Sequence, residues 1–358
     1  MVRKSEILQI VPRLPGENDG VGDYARTLAQ RLSELGQVET LFATADSALA
    51  QKNFGHVILH YVNYGYQKRG VPFALMSILR EIRARCRGRF LTIFHELYAS
   101  GPPWKSAFWL RPFQKQIAKS IAQMSDAAIV SSETMLRELR QLAPEIRVSV
   151  HPVFSNFGEP TLSVDQLADR DPHRWVICGG TALVERSLRS FCAIVNRIPQ
   201  LITPRELLVL GGNENRAARA LLANLQKLDG LKPSSSERLR TDYRPNISAA
   251  DASQILSNCP FAWLDYFHRP DVPNDIILKS SVFAALCAHG VIPVFPHPGS
   301  PIEINNDFLP GPFFIDPNTE NLPATEATEK LPSEFYNWYH LHASSNRLAD
   351  GIANALSF

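Results

Sequence analysis

Cysteine is scarce and scattered: Cys86, Cys178, Cys192, Cys259 and Cys287 are odd in number and show no CxxC spacing. That excludes a zinc ribbon and argues for reduced thiols in a cytosol. No run of about 18 consecutive apolar residues occurs, so no segment is expected to span a membrane. Net charge is only +2, too small to argue for a nucleic-acid partner. The opening MVRKSEILQIVPRLPG lacks a signal-peptide h-region and cleavage site, and the expected location is cytoplasmic. No carboxylate or histidine cluster has ligand spacing, so no metal is implied. No strand ends in a full GxGxxG followed by a ribose-binding acid, which argues against a dinucleotide-dependent dehydrogenase.

The 358 residues, 45% hydrophobic and 20% charged, read as a soluble globular chain of two domains. Pro12 to Leu32 organises the first of them. It follows an apolar run, Ile7 to Val11, that reads as a buried strand, and its second half reads as a helix with Ala25, Leu28, Ala29, Leu32 and Leu35 on one face. Between them Pro12, Pro15, Gly16, Gly20 and Gly22 form a loop. A strand, a glycine-bearing loop and a helix N-terminus make an anion site, because the first N–H groups of a helix have no partner within it. An ordinary strand-to-helix turn fits the same residues.

Strand and helix patterns then alternate: strands at 39–42, 56–62, 90–94 and 126–130, and a helix at 73–85. Alternation of this kind predicts a parallel sheet with helices on both faces, with ligands beyond the carboxyl ends of the strands. Polar clusters sit at those ends: Asn63 to Tyr66, His95 to Tyr98, and Ser131 to Thr134. His95 beside Glu96 suits a pair that hydrogen-bonds a sugar or moves a proton. Ser131-Ser132-Glu133 reads better as a helix cap. Trp104, Phe108, Trp109 and Phe113 are interleaved with Lys105, Arg111 and Lys115. Core packing against a neighbouring helix is the first expectation for these aromatics, and a membrane-interface or lipid-linked acceptor contact is the second.

A turn-rich stretch from Ser155 to Arg174 reads as the domain boundary. Beyond it, a strand at 175–178 enters Gly179-Gly180-Thr181 ahead of a helix with Arg186 and Arg189, and a strand at 206–210 enters Gly211-Gly212. Two glycine-ended strands at one sheet edge suggest a nucleotide diphosphate site. A strand at 260–266 carries Asp265, and the following helix is expected to contain Lys279 near its start and to stop at Gly290. A cation there opposes the helix dipole unless it faces an anion, and a snorkelling surface lysine is the alternative.

Several of these stretches resemble retaining GT-B glycosyltransferases of family 4. Gly20-Val21-Gly22-Asp23-Tyr24 resembles that family's glycine loop, and Phe94-His95-Glu96 its histidine-bearing strand end. Lys279 to Val294 resembles its helix–turn–strand beneath the nucleotide, and Glu334 to His340 onward its C-terminal crossing helix. The resemblance implies an α/β GT-B fold: two Rossmann-like domains, 1–155 and 174–334, whose parallel sheets face a central cleft, with 156–173 as linker and 335–358 as the crossing helix. The family's two glutamates, seven residues apart, are missing around Ile277 to Ala285, and only Arg186 offers a cation after the first strand of the second domain. Lys279-Ser280-Ser281 resembles a variant with a basic residue in this helix, and a carboxylate would have to come from Asp265, Asp271 or Asp275.

What the resemblance implies is sugar transfer, with retention, from a nucleotide sugar to a glycan, lipid-linked or small acceptor. His95, Arg186 and Lys279 would be catalytic. Gly20, Val21, Gly22, Gly179, Gly180, Thr181, Gly212, Asp265 and Ser280 would hold the donor. Asp23, Tyr24, Asn63, Glu96 and Trp104 would meet the acceptor. No cofactor is implied, since the nucleotide sugar is a substrate; the aromatic and basic segment suggests a peripheral membrane contact, and the net charge gives no nucleic-acid partner. An inactive GT-B-like scaffold that binds nucleotide or a partner is the alternative.

Overall fold

Apolar strands and amphipathic helices alternate along most of the chain, as in a parallel sheet whose faces are covered by helices. The computed structural model describes residues 5–16, 20–36, 38–49, 55–99, 104–195, 204–226, 239–267, 273–297, 301–311, 313–314 and 325–356. The chain divides into two units, Met1–Pro152 with Ser345–Phe358, and Val153–Ser344.

The first unit runs β1 (Ser5–Ile10), α1 (Gly20–Glu34), β2 (Val38–Ala43), α2 (Ala45–Ala48), β3 (His56–Tyr61), α3 (Asn63–Tyr66), α4 (Phe73–Arg85), β4 (Phe90–Phe94), α5 (Ser106–Met124), β5 (Ala127–Val130), α6 (Glu133–Leu142) and β6 (Arg147–Val150). Its six strands lie in the order β2-β1-β3-β4-β5-β6 and every pair is parallel. Every residue of β4 is buried, as a strand covered on both faces requires. Ala25, Leu28 and Leu32 bury one side of α1, while Leu35 stands exposed. Ser132 caps α6 by accepting the Met135 N–H, as the sequence predicts.

Trp104 and the aromatics of α5 overturn the core-packing expectation. Trp104, Phe108, Trp109 and Phe113 are 83%, 40%, 67% and 51% exposed. The helix instead buries Gln114, Ile117, Ala118, Ile121 and Ala122.

The second unit runs α7 (Val164–Ala168), β7 (Arg174–Cys178), α8 (Thr181–Ile194), β8 (Glu206–Leu210), α9 (Arg216–Leu225), β9 (Arg240–Arg244), α10 (Ala249–Leu256), β10 (Phe261–Trp263), a 3-10 turn (Asn274–Lys279), α11 (Ser281–Ala288), β11 (Ile292–Phe295), β12 (Glu303–Ile304), β13 (Asp307–Phe308), β14 (Phe313–Phe314) and α12 (Thr325–His342). Its main sheet is β14-β11-β10-β7-β8-β9, again parallel throughout. The chain ends in α13 (Ser345–Leu356), which belongs to the first unit and packs on α1, where Arg31 Nε donates to Ser345 Oγ at 2.9 Å.

The stretch from Ser155 onward packs into the second unit. Tyr339 on α12 accepts the Ser155 N–H at 2.7 Å and donates its hydroxyl to Glu159 at 2.6 Å. Tyr336 accepts from the Leu162 N–H and donates to the Pro160 carbonyl. The strand expected at 260–266 is shorter, Phe261–Trp263, with Asp265 beyond its end. Lys279 closes the 3-10 turn instead of opening a helix, because Ser280 is the N-cap of α11 and accepts the Phe283 N–H.

Candidate active site

In a doubly wound sheet the chain reverses direction at one point, and the strand ends there diverge to leave a crevice. In the first unit that point lies between β1 and β3; in the second it lies between β7 and β10. Most of the sequence-predicted site residues sit at these two points.

In the first unit, register decides which side chains meet. Gln9 pairs with Ile58, and His60 pairs with Ile93. Side chains alternate faces along a strand, so Gln9, His60 and His95 project from the same face of β1, β3 and the end of β4, each a step nearer the carboxyl edge. α1 covers this face. His60 Nε2 lies 2.6 Å from Gln9 Oε1, and its Nδ1 lies 3.2 Å from His95 Nε2. Tyr24 meets the His95 ring edge-on at 4.9 Å, and burial pushes its hydroxyl far above the usual tyrosine range. Gln9 and His60 are fully buried, His95 only partly. Burial, and after it the neighbouring His95 charge, holds the His60 imidazole well below the ordinary histidine range.

Of the residues expected nearby, Gly20 has none of the described residues within 4 Å of an added Cβ. Gly22 is buried, Val21 partly so, and Asp23 pairs with Arg26 at 3.3 Å on the exposed side of α1. Asn63 is fully buried; its Oδ1 accepts the Tyr64 N–H, while its Nδ2 has no hydrogen-bond partner among the described residues. Glu96 follows His95 and its charge helps raise the Tyr61 hydroxyl, after burial. Trp104 stands on the surface ahead of α5.

In the second unit, β7 runs into Gly179-Gly180-Thr181 and α8 begins at Thr181 with no side chain capping it and no acid in its first turn. Leu183 and Val184 donate to the Gly180 carbonyl, so among the described residues the N–H groups of Thr181 and Ala182 are the ones left for an anion. Gly212 presses against this turn: at φ +66°, an added Cβ would lie 2.8 Å from Thr181 Cα. Thr181 Oγ1 in turn accepts the Asn213 N–H at 2.9 Å.

One turn into α8, Arg186 Nε donates to the backbone carbonyl of Asp265 at 2.6 Å and lies 3.8 Å from its carboxylate. The Asp265 N–H donates to Ser187 Oγ, and His297 Nε2 lies 3.1 Å from Asp265 Oδ1. Asp265 is thus drawn into a protein-held cluster with Arg186 and His297. Sequence reasoning missed His297, which follows the short strand β11; it also missed Gln9 and His60, each a polar residue with apolar neighbours on both sides in its strand. Lys279 is half-buried, and the Ser280 hydroxyl is engaged as a cap. Asp275 lies in the 3-10 turn, and Asp271 falls outside the described residues. Among the described residues no three His, Cys, Asp or Glu side chains could hold a metal, and no helix is long and apolar enough to cross a membrane.

No protein-family profile matches the chain. Curated protein sequences give no match either. Solved structures do. Sucrose-phosphate synthase from Thermosynechococcus elongatus superposes with a TM-score of 0.60 at 13% identity, covering 98% of each chain. The N-terminal domain of Candida albicans trehalose-6-phosphate phosphatase gives 0.55 at 11%, covering 99% of this chain and 97% of that one. An alpha-glucosyltransferase in complex with UDP-glucose and DNA containing an abasic site gives 0.54 at 11%, covering 99% of both. At such identity the likeness speaks for the fold, which is the α/β GT-B fold with its two Rossmann-like units.

Proposed function

We propose that the chain is a glycosyltransferase that moves a sugar from a nucleotide-sugar donor to a hydroxyl-bearing acceptor, with retention. The observation that carries this reading is the uncapped start of α8 with Arg186 one turn further on, at the switch point of the second sheet. Transfer develops negative charge on the departing diphosphate. Preorganised N–H groups and a guanidinium stabilise that charge without reorganising as it forms. The alpha-glucosyltransferase of the same fold was solved with UDP-glucose, which supports a nucleotide sugar as the donor. Lys279 and Ser280 would border the same ligand, and Gly20 to Gly22 would line the first unit's crevice. His95 would hold a sugar hydroxyl, with Asp23, Tyr24, Asn63 and Glu96 around the acceptor.

The exposed aromatics of α5 add a location. With Phe73, whose ring meets Phe113 edge-on at 6.1 Å, they form an apolar face beside Lys105, Arg111 and Lys115. Aromatic and basic groups side by side suit the interface of an anionic membrane, and a lipid-linked acceptor would be met there.

A second reading follows from Asp265. Its carboxylate is engaged by protein groups, which favours a GT-B-shaped scaffold that binds nucleotide without turning it over. One experiment separates the readings: thermal shift with UDP, GDP, ADP and dTDP sugars, followed by product analysis with the nucleotide that binds. A ligand at a hundredfold excess over its dissociation constant adds about 2.7 kcal/mol. Binding with nucleotide release supports the transferase, binding without release supports the scaffold, and no shift at millimolar concentrations removes both.

A further inference from the structure

We propose that Gln9 and His60 are positioning residues that hold His95 with its proton on Nε2, which makes Nδ1 the accepting nitrogen of the neutral ring. The proposal rests on the reading of His95 as the group that meets the sugar.

The argument follows hydrogen-bond direction from the inner end. Gln9 Nε2 lies 3.3 Å from the Ala25 carbonyl on α1. A carbonyl only accepts, so the amide nitrogen must face it; the flipped amide would set two oxygens against each other. Gln9 Oε1 is thereby turned toward His60 Nε2, 2.6 Å away. An amide oxygen also only accepts, so His60 carries its proton on Nε2. His60 is fully buried and stays neutral, which leaves its Nδ1 as a lone pair. That lone pair faces His95 Nε2 at 3.2 Å, and the rings are tilted by only 16°, so the lone pair and the opposing N–H lie close to a common plane. His95 therefore donates from Nε2.

Each donor in this chain points inward: His95 to His60, His60 to Gln9, Gln9 to the backbone of α1. The consequence is chemical. A ring nitrogen that donates makes the other nitrogen of the same ring the acceptor and raises its basicity. In neutral His95 the acceptor is thus Nδ1, and any group that meets this nitrogen must donate to it, as a hydroxyl can and a carbonyl or phosphate oxygen cannot. His95 alone does not specify this; the apolar strands β1 and β3 each contribute one polar residue that does.

The test is 15N NMR on the full chain labelled at histidine, without nucleotide, at a pH where His95 is neutral. His95 signals are assigned by their loss in His95→Gln. The expected wild-type spectrum has His95 Nε2 as the protonated nitrogen, with its hydrogen slow to exchange and coupled to His60 Nδ1. In His60→Phe, and in Gln9→Met where His60 is released, that coupling disappears and the His95 N–H exchanges faster. Two variants of near-native volume guard against one failing to fold. A wild-type His95 protonated on Nδ1, or a His95 Nε2–H signal unchanged in both variants, overturns the proposal. Because the spectrum is read without donor, a chain that binds no nucleotide sugar sinks the transferase reading while leaving this outcome to stand on its own.

Discussion

Arg186 Nε donates to the backbone carbonyl of Asp265 at 2.6 Å, and stands 3.8 Å from the carboxylate of the same residue. The guanidinium is thus anchored by a neutral acceptor, with the carboxylate engaged by His297 at 3.1 Å. Among the described residues the two terminal nitrogens of Arg186 have no hydrogen-bond partner, and they can turn to a diphosphate. Arg186→Ala is expected to abolish nucleotide-dependent thermal stabilisation and to slow transfer by 10²–10³-fold, about 2.7–4 kcal/mol of barrier. Arg186→Lys should recover little, because an ammonium cannot anchor through one nitrogen and bind through two others. Wild-type nucleotide affinity in both variants would remove Arg186 from the site.

Two glycines beside the start of α8 separate a structural requirement from a ligand's. Gly212 sits at φ +66°, and a Cβ there would lie 2.8 Å from Thr181 Cα. Gly212→Ala must strain its own backbone and push a helix terminus, and should cost about 1–3 kcal/mol in a urea titration. Gly180 has an ordinary φ of −69°, and none of the described residues lies within 4 Å of an added Cβ. Gly180→Ala should leave stability near wild type and weaken nucleotide binding, since the methyl group would occupy the space where the diphosphate approaches. Unchanged nucleotide affinity in Gly180→Ala would place the diphosphate elsewhere.

How much of this was legible in the sequence depends on the kind of signal. Periodicity located the helix Phe73–Arg85 and the strands Phe90–Phe94 and Glu206–Leu210 to the residue, because each presents an unbroken apolar face between strong breakers. The glycine-ended strands were legible for the same reason. Gln9 and His60 were not, although each is a polar residue within a buried strand, because their meaning depends on register between strands that are distant in sequence. Lys279 was misplaced because the 3-10 turn Asn274–Lys279 and α11 read as one helix until the Ser280 cap divides them. Aromatic content alone could not decide the environment of α5, since the same residues suit a core or an interface.

His289 supplies a pH dependence. Fully buried at the end of α11, it donates from Nδ1 to the Ala285 carbonyl at 2.7 Å, and its Nε2 accepts from Ser253 on α10 at 2.8 Å. Burial first, then the Arg170 and His340 charges, lowers its pKa to about 4. The unfolded chain, with a histidine near 6.5, binds the proton more readily, so stability from this site is complete above about pH 6.5 and is lost as pH falls toward 4. At about 1.36 kcal/mol per tenfold change in proton affinity, the loss approaches about 3 kcal/mol. His289→Gln should be less stable than wild type at pH 7.5, and the difference should narrow by pH 4.5. Parallel urea midpoints for the two proteins across that range would show that the site does not titrate.

The exposed face of α5 carries the last prediction. Trp104 and Trp109 are the most exposed of its aromatics, while Arg111 and Lys115 are held over the Tyr98 ring at 5.1 Å and 4.8 Å. Two forces would act at a membrane: burial of the indoles in the interface, which salt leaves intact, and attraction of the cations to anionic headgroups, about 1 kcal/mol each and screened by salt. Co-sedimentation should therefore favour phosphatidylglycerol vesicles over phosphatidylcholine vesicles, and rising salt should weaken the binding to them without abolishing it. Trp104→Ser with Trp109→Ser should remove the salt-resistant part, and Arg111→Gln with Lys115→Gln the salt-sensitive part. Both pairs alter exposed or half-exposed groups of the first unit, whereas Arg186 belongs to the second, so nucleotide-dependent thermal shifts should persist in them. Equal sedimentation with and without vesicles would leave the aromatic face without a membrane partner.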